Sequence, residues 1–241
     1  MIKKISDLSD IRGSQPLMSV IQSDFDFPSG TSDSVFYQEI NEEKTLVLSL
    51  HGVTAAICKL SSEPDIDELV SFLHFRGVTD VLSDFFFEGM CLKKRAVLRV
   101  SVQGEIGTNI MHLSPYSRLG EYKAVFDLLS CYGSFDVWYP TFSRKVNKFR
   151  AFGVYLADNG IPVSCAIAPF IYGEVGIIAG VFTDTAQRGK GLATRCVKAL
   201  LSDMKQKNVE VVYLWCEDEN VNLYKNMGFS VCGEIYVKKE E

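Results

Sequence analysis

Apolar and polar positions alternate in readable periods along most of the chain. "KTLVLSLHGVTAAICKL" (44–60) holds two apolar runs broken at His51-Gly52, the pattern of a β-hairpin. In "DIDELVSFLHFRG" (65–77), Ile66, Leu69, Val70 and Leu73 fall at helical spacing and Gly77 supplies a stop. "VTDVLSD" and "RAVLRVSV" follow as strands. From Gly104 to Arg118 the period is lost among Gly and Pro, which predicts a linker. We therefore expect a smaller N-terminal α/β domain over residues 1–116 and a second domain over 117–241. The strand-helix-strand order of the first allows it to be a degenerate copy of half of the second.

The second half reads more firmly. "LGEYKAVFDLLSCYG" sets Tyr122, Val125, Phe126 and Leu129 on one helical face, and "SFDVWYPTFSRKVNKF" predicts another helix, interrupted near Pro140. Residues 152–183 read as an antiparallel meander, with turns at Asn159-Gly160 and near Tyr172-Gly173. Next comes a helix with Leu192, Cys196, Leu200 and Met204 four apart. "VEVVYLWC" is apolar on both faces, as in a strand inside a sheet. A short helix in "ENVNLYKNMGF" stops at Gly228, and "FSVCGEIYVKK" closes the chain as a strand. The predicted order is α, α, β, β, β, α, β, α, β.

Composition narrows the function classes. A net charge of −5 without a long Lys/Arg run argues against nucleic acid as the main partner. No apolar run approaches bilayer-spanning length, and "MIKKISDLSDIRGS" lacks the apolar stretch of a secretory signal. The seven cysteines form no C-x-x-C pair, so they read as reduced thiols of a cytoplasmic protein. His51, His74 and His112 stand isolated, so no metal is expected.

The candidate chemistry lies in "TDTAQRGKGLAT" (183–194). Glycines opening a helix free backbone N–H groups for an anion, and the macrodipole adds positive charge there. Arg188 and Lys190 contribute charge at the rim. A Walker A loop would need Gly at Asp184 and Ser or Thr at Gly191. A dinucleotide fingerprint would need a preceding parallel strand, where a meander is predicted. On its own, "RGKG" also reads as a solvated turn.

R-x-x-G-x-A, Arg188 to Ala193, following the strand "IIAGVFT", resembles the acyl-CoA signature of the GNAT N-acetyltransferase superfamily. "VYLWCEDENVNLYKNMGF" is similar to that family's next strand and helix, with its Leu-Tyr pair and following Gly-Phe. The resemblance covers roughly the second half and implies the GNAT fold, with a mixed central sheet. It implies an N-acetyltransferase that moves an acetyl or other acyl group from acyl-CoA to an amine by direct attack. Pantetheine would bond the backbone of Val181, Phe182 and Thr183, where a bulge splays that strand from its neighbour. The pyrophosphate would sit on the N–H groups of Arg188, Gly189, Lys190, Gly191, Leu192 and Ala193. Tyr224 would protonate the leaving thiolate.

Other expectations remain open at this stage. Tyr224 also reads as a core tyrosine, and Trp138 and Tyr139 as packing or as acceptor-pocket walls. Glu217 and Asn220 depart from the family's usual Asn and Ala, and Ile177 stands where some members carry a glutamate base. Glu174 and Asp184 are weak substitutes for that base. The alternative is a catalytically silent acyl-CoA-binding or interaction module. Cys196 and Cys216 read as packed thiols, and Phe85 to Phe87 as a core plug or interdomain face. A small-molecule or peptide amine is the expected partner, with no nucleic acid or membrane, in a monomer or homodimer.

Overall fold

A computed structural model of the protein describes residues 1–26, 34–102, 110–129 and 133–238. It divides into two compact units: Met1–Val97 with Trp215–Val221 and Val231–Glu241, and Leu98–Leu214 with Asn222–Ser230.

The first unit contains β1 (Ile2–Lys4), α1 (Leu17–Asp26), β2 (Ser34–Ile40), β3 (Glu43–His51), β4 (Thr54–Lys59), α2 (Ile66–Phe75) and β5 (Asp80–Ser83). These strands lie in the order β1-β2-β3-β4-β5, antiparallel except for β4 and β5, which run parallel. The hairpin predicted at His51-Gly52 is β3–β4, and Gly52 takes the positive φ of +60° that its turn requires. β3 is covered on both faces, which explains its continuous apolar run. Leu46, Leu48 and Leu50 share a core with Leu69 and Leu73 of α2, while Ser49 on the other face bonds Asp24 of α1. The three phenylalanines divide: Phe87 is buried, Phe85 packs against the core, and Phe86 is exposed.

Strand β6 (Lys93–Ser101) is shared between the units at Val97/Leu98. The second unit continues with β7 (Met111–Leu113), α3 (Leu119–Leu129), α4 (Phe135–Asn147), β8 (Phe152–Asp158) and β9 (Ile161–Ala168). Then come β10 (Phe170–Tyr172), β11 (Val175–Ile177), β12 (Gly180–Thr183), α5 (Leu192–Lys205), β13 (Val211–Cys216), α6 (Val221–Lys225) and β14 (Ser230–Lys238). Beyond Ser230, β14 belongs to the first unit, where it pairs antiparallel with β5.

One sheet of the second unit runs β12-β9-β8-β7. On one face, Cys196, Val197, Leu200 and Met204 of α5 are buried; on the other, Tyr122, Val125 and Leu129 of α3 and Phe142 and Val146 of α4 meet Tyr155, Cys165 and Ile167. Burying one such Leu stabilises the fold by about 1.5–3 kcal/mol.

Three expectations need correction. The helix through Pro140 is continuous from Phe135 to Asn147. The amide that Pro140 lacks would have bonded the carbonyl of Asp136, and Asp136 is exposed, so water can take its place. The segment read as a linker contains β7, paired with β8 from Met111↔Tyr155 to Leu113↔Gly153; residues 103–109 lie outside the described chain. The second hairpin of the meander is also not two unbroken strands. β9 pairs with β12 while β10 pairs with β11, so both strands change sheets, one at Pro169 and the other at Ile178-Ala179.

Candidate functional site

The change of sheet at Ile178-Ala179 builds the site. β11 runs parallel to β13 from Val175↔Val211 to Ile177↔Tyr213, and Ile178 N–H still donates to Tyr213 C=O at 2.9 Å. Beyond that point β12 pairs with β9 and forms the edge of its sheet. Asp184 N–H donates to Val163 C=O at 2.9 Å, and in an antiparallel ladder alternate residues face the partner. Phe182 and Asp184 therefore turn their backbone groups toward β9, whereas Val181 and Thr183 turn theirs to the open edge. Gly180 allows the close approach: a Cβ there would lie 2.9 Å from Ile167 Cγ1 and 3.0 Å from Leu129 Cδ2.

The chain then runs through a tight 3-10 turn, Thr185–Gln187, where Asp184 Oδ1 accepts from Ala186 N–H at 2.9 Å. Gly189 and Gly191 have φ of +77° and +71°, and nothing lies within 4 Å of a Cβ at either position. Glycine is required here by backbone conformation, not by crowding. Gly191 is the N-cap of α5; no side chain caps the helix and its first turn carries no acid. The positive end of the helix dipole and the first-turn N–H groups are thus presented uncovered by side chains. Arg188 Nε donates to Thr183 C=O at 3.2 Å, and Lys190 Nζ to Gln187 Oε1 at 2.6 Å. Val181, Phe182 and Thr183 therefore form one contiguous surface with Arg188, Gly189, Lys190, Gly191, Leu192 and Ala193.

The remaining candidates are placed unequally. Tyr224 stands on α6, half-buried, with its ring edge-on to Phe229 at 5.9 Å between centroids. Gly228, at φ +94°, reverses the chain so that Met227 and Phe229 N–H both bond the Tyr224 carbonyl. The Leu-Tyr and Gly-Phe pairs are thus parts of one turn. Trp138 and Tyr139 join an aromatic cluster, with Trp138 stacked on Phe142 at 4.5 Å and Tyr139 on Phe135 at 5.3 Å. Phe182 packs against the same core, which links these aromatics to the open strand.

Glu174 is not brought to the splay. It precedes the opposite end of β11, and its carbonyl accepts from Glu210 and Val211 N–H. Asp184 serves as a turn cap, Ile177 is fully buried, and Glu217 pairs with Arg95 at 2.6 Å. The splay that the family resemblance implies falls at Ile178-Ala179, just before Gly180, and a glycine inside a strand is the local signal for such a departure.

Burial favours the neutral forms of several thiols and phenols. Burial, then the charge of Asp218, pushes the Cys216 thiol up to about 11, and burial raises Cys196 beside Ser164. Both behave as packed thiols. Burial, then the bond from Tyr155 Oη to Glu121 Oε1 at 2.9 Å, raises Tyr155 to about 12. Tyr122 is raised to about 12, chiefly by burial. Among the described residues no group of three or more His, Cys, Asp or Glu is arranged to hold a metal ion. No described helix is long and apolar enough to cross a membrane.

The acetyltransferase (GNAT) family profile matches residues 122–229, which contain this whole surface and Tyr224. No curated protein sequence matches the chain. Among solved structures, a GCN5-related N-acetyltransferase from Kribbella flavida aligns with a TM-score of 0.60 at 14% identity, covering 93% of this chain and 94% of its own. A tandem GNAT protein from the clavulanic acid biosynthesis pathway aligns at 0.59 and 11% identity, covering 95% and 90%. A putative GNAT acetyltransferase from Novosphingobium aromaticivorans aligns at 0.56 and 16% identity, covering 81% and 87%. At these identities the likeness is one of fold: α/β, with the GNAT arrangement of a mixed sheet.

Proposed function

We propose that this protein transfers an acyl group, acetyl first among them, from acyl-CoA to an amine, a reading supported by the match of the acetyltransferase (GNAT) family profile to residues 122–229. One observation carries the reading: a strand edge, to which Val181 and the Thr183 N–H turn outward, leads through one 3-10 turn into a glycine-opened helix with no side-chain cap. An extended amide chain can lie along that edge as an added strand, with its pyrophosphate on the N–H groups of residues 188 to 193.

The reaction follows from the chemistry of a thioester. The amine lone pair attacks the carbonyl carbon, and the C–S bond breaks as the tetrahedral adduct collapses. The adduct's ammonium proton leaves to water, and Tyr224 donates its phenolic proton to the departing thiolate and regains one from solvent. No side chain is assigned as base, since Ile177 is buried, Asp184 caps a turn and Glu174 lies at the far end of β11. Trp138 and Tyr139 suit an acceptor with an apolar or aromatic body beside its amine. Acyl-CoA serves as co-substrate and no metal is required.

Acetyl-CoA should raise the melting temperature, and a panel of small-molecule and peptide amines should release free CoA thiol. A chain that melts identically with and without acyl-CoA or CoA overturns the proposal. The missing base favours one second reading, a silent module that holds acyl-CoA without turnover. CoA binding with no thiol release across the panel would select it.

A further inference from the structure

The two units repeat one order of elements. In the first unit β1, α1, β2, β3, β4, α2 and β5 follow one another. The second runs β7, a helical pair, β8, β9, the broken strand β11–β12, α5 and β13. In each, the third strand of a meander leads through a helix to a strand parallel to it. Strand β4 therefore corresponds to β11–β12, β5 to β13, and α2 to α5.

The correspondence fails at the groove. β4 does not break: it pairs with β3 from Leu46↔Lys59 to His51↔Thr54 and with β5 from Thr54↔Asp80 to Ile57↔Ser83. Near its end, Leu60 N–H bonds Thr45 C=O in β3, so Ile57 and Lys59 face the other way. They match Val181 and Thr183, and Asp84 takes a backbone group of each. Asp84 N–H donates to Ile57 C=O at 3.3 Å, and Lys59 N–H donates to Asp84 Oδ1 at 2.8 Å. One residue thus supplies a donor and an acceptor to alternate positions of the strand, as a pantetheine amide would. The other carboxylate oxygen is held by Ser14 Oγ and lies 3.2 Å from Cys58 Sγ.

The helix start is closed as well. Asp65 caps α2 by accepting from Glu68 N–H at 3.0 Å, and Asp67 and Glu68 lie in its first turn. Gln38 bonds both Asp65 C=O and Glu68 Oε2, and Ile2 N–H bonds Glu68 Oε1. A pyrophosphate would meet carboxylates here, where α5 offers free N–H groups.

We infer that the first unit is a copy of the acyl-CoA-binding architecture whose groove is filled by Asp84, so that each chain takes one acyl-CoA, through the second unit alone. The inference rests on the acyl-CoA reading above for the stoichiometry, but not for the closure. Two measurements on the full chain separate them.

Amide hydrogen exchange tests closure without any ligand. Asp84→Ala should speed exchange at Lys59 by about tenfold or more, the loss of one charge-assisted bond, while Leu60 stays slow. Asp84→Asn, which keeps an acceptor oxygen, should stay near the parent. Unchanged Lys59 exchange in Asp84→Ala overturns the closure. If that variant does not fold, fast Lys59 exchange in the folded parent does so instead, and slow exchange supports it.

Calorimetric titration with CoA, followed by exchange mapping, tests the count. One CoA per chain with protection confined to residues 178–195 and the segment around Tyr224 supports the inference. Two per chain, or new protection at residues 57–60 and 84, overturns it. No binding at all refutes the acyl-CoA reading, and the Lys59 measurement still decides whether the groove is filled.

Discussion

Replacing Gly191 by Val tests the anion cradle where its physics is simplest. Gly191 has φ +71° and ψ +13°, the left-handed region, and a Cβ there meets nothing within 4 Å. The substitution therefore acts through backbone conformation alone. That conformation costs an ordinary L-residue about 1–2 kcal/mol, and a β-branched one falls at the top of that range or above. Two responses are available to the loop. If it holds its shape, the strain appears as lost stability. If it relaxes toward negative φ, the N–H groups of residues 189 to 193 move off the phosphate position. Each charge-assisted bond lost is worth about 1.5–3 kcal/mol, or roughly a ten- to hundredfold rise in the dissociation constant of CoA.

Thermal melts and calorimetric titration with CoA read the two responses separately. Gly191→Asn should lose little of either, because Asn tolerates this region. Gly160→Val is the control: Gly160 has φ +82° in the β8–β9 turn, also with open space, so it should lose stability with CoA affinity intact. A Gly191→Val protein that melts like the parent and binds CoA equally well would refute the reasoning.

Three further outcomes follow from the same geometry. Tyr224→Phe should leave CoA affinity nearly unchanged and lower kcat by about a hundredfold, as for a lost general acid; unaltered turnover with chemistry rate-limiting would return Tyr224 to a packing role. Tyr122 and Tyr155 are raised to about 12, so the fold binds protons that the unfolded chain has released, and stability should fall as pH rises from about 10 toward 12. A melting temperature that stays flat over that window, while every tyrosine titrates near 10 by ultraviolet absorbance, would contradict it. Among the described cysteines, iodoacetamide at neutral pH should modify exposed Cys91 and Cys232 first, while Cys58, raised to about 12, and buried Cys165 and Cys196 resist. Rapid modification of Cys196 in the folded protein, located by peptide mapping, would show that burial does not control its reactivity.

What could be read from the sequence divides along a physical line. Features that only particular residues can make were legible. Positive φ at Gly52, Gly160, Gly189, Gly191 and Gly228 marks turns and a helix start wherever the residue occurs, so the hairpins and the loop before α5 appear in the letters. The helix of Leu192, Cys196, Leu200 and Met204 shows because its buried positions are apolar apart from Ser202. In α1 the period is hidden, since Ser19, Ser23 and Asp24 are buried beside Leu17, Met18, Val20 and Ile21. The buried Asp24 has a partner in Ser49, on a strand far along the chain.

Where a strand chooses between two neighbours, local pattern is silent. "GEVGIIAGVFT" is one apolar run, and nothing inside it says that Ile177 will pair with Tyr213 while Val181 pairs with Ala166. That choice depends on Ile167 and Leu129 pressing against Gly180, contacts that exist only once β9 and α3 are in place. Thr54–Lys59 shows the other outcome: it is also an apolar strand after a hairpin, and it stays zipped because Asp84, twenty-five residues beyond Lys59, reaches back to its amide. The difference between an open groove and a filled one therefore rests on a carboxylate and a glycine whose importance is tertiary. A sequence can announce that a helix start is fit for an anion; whether the neighbouring strand stays open to receive the rest of the ligand is decided by packing.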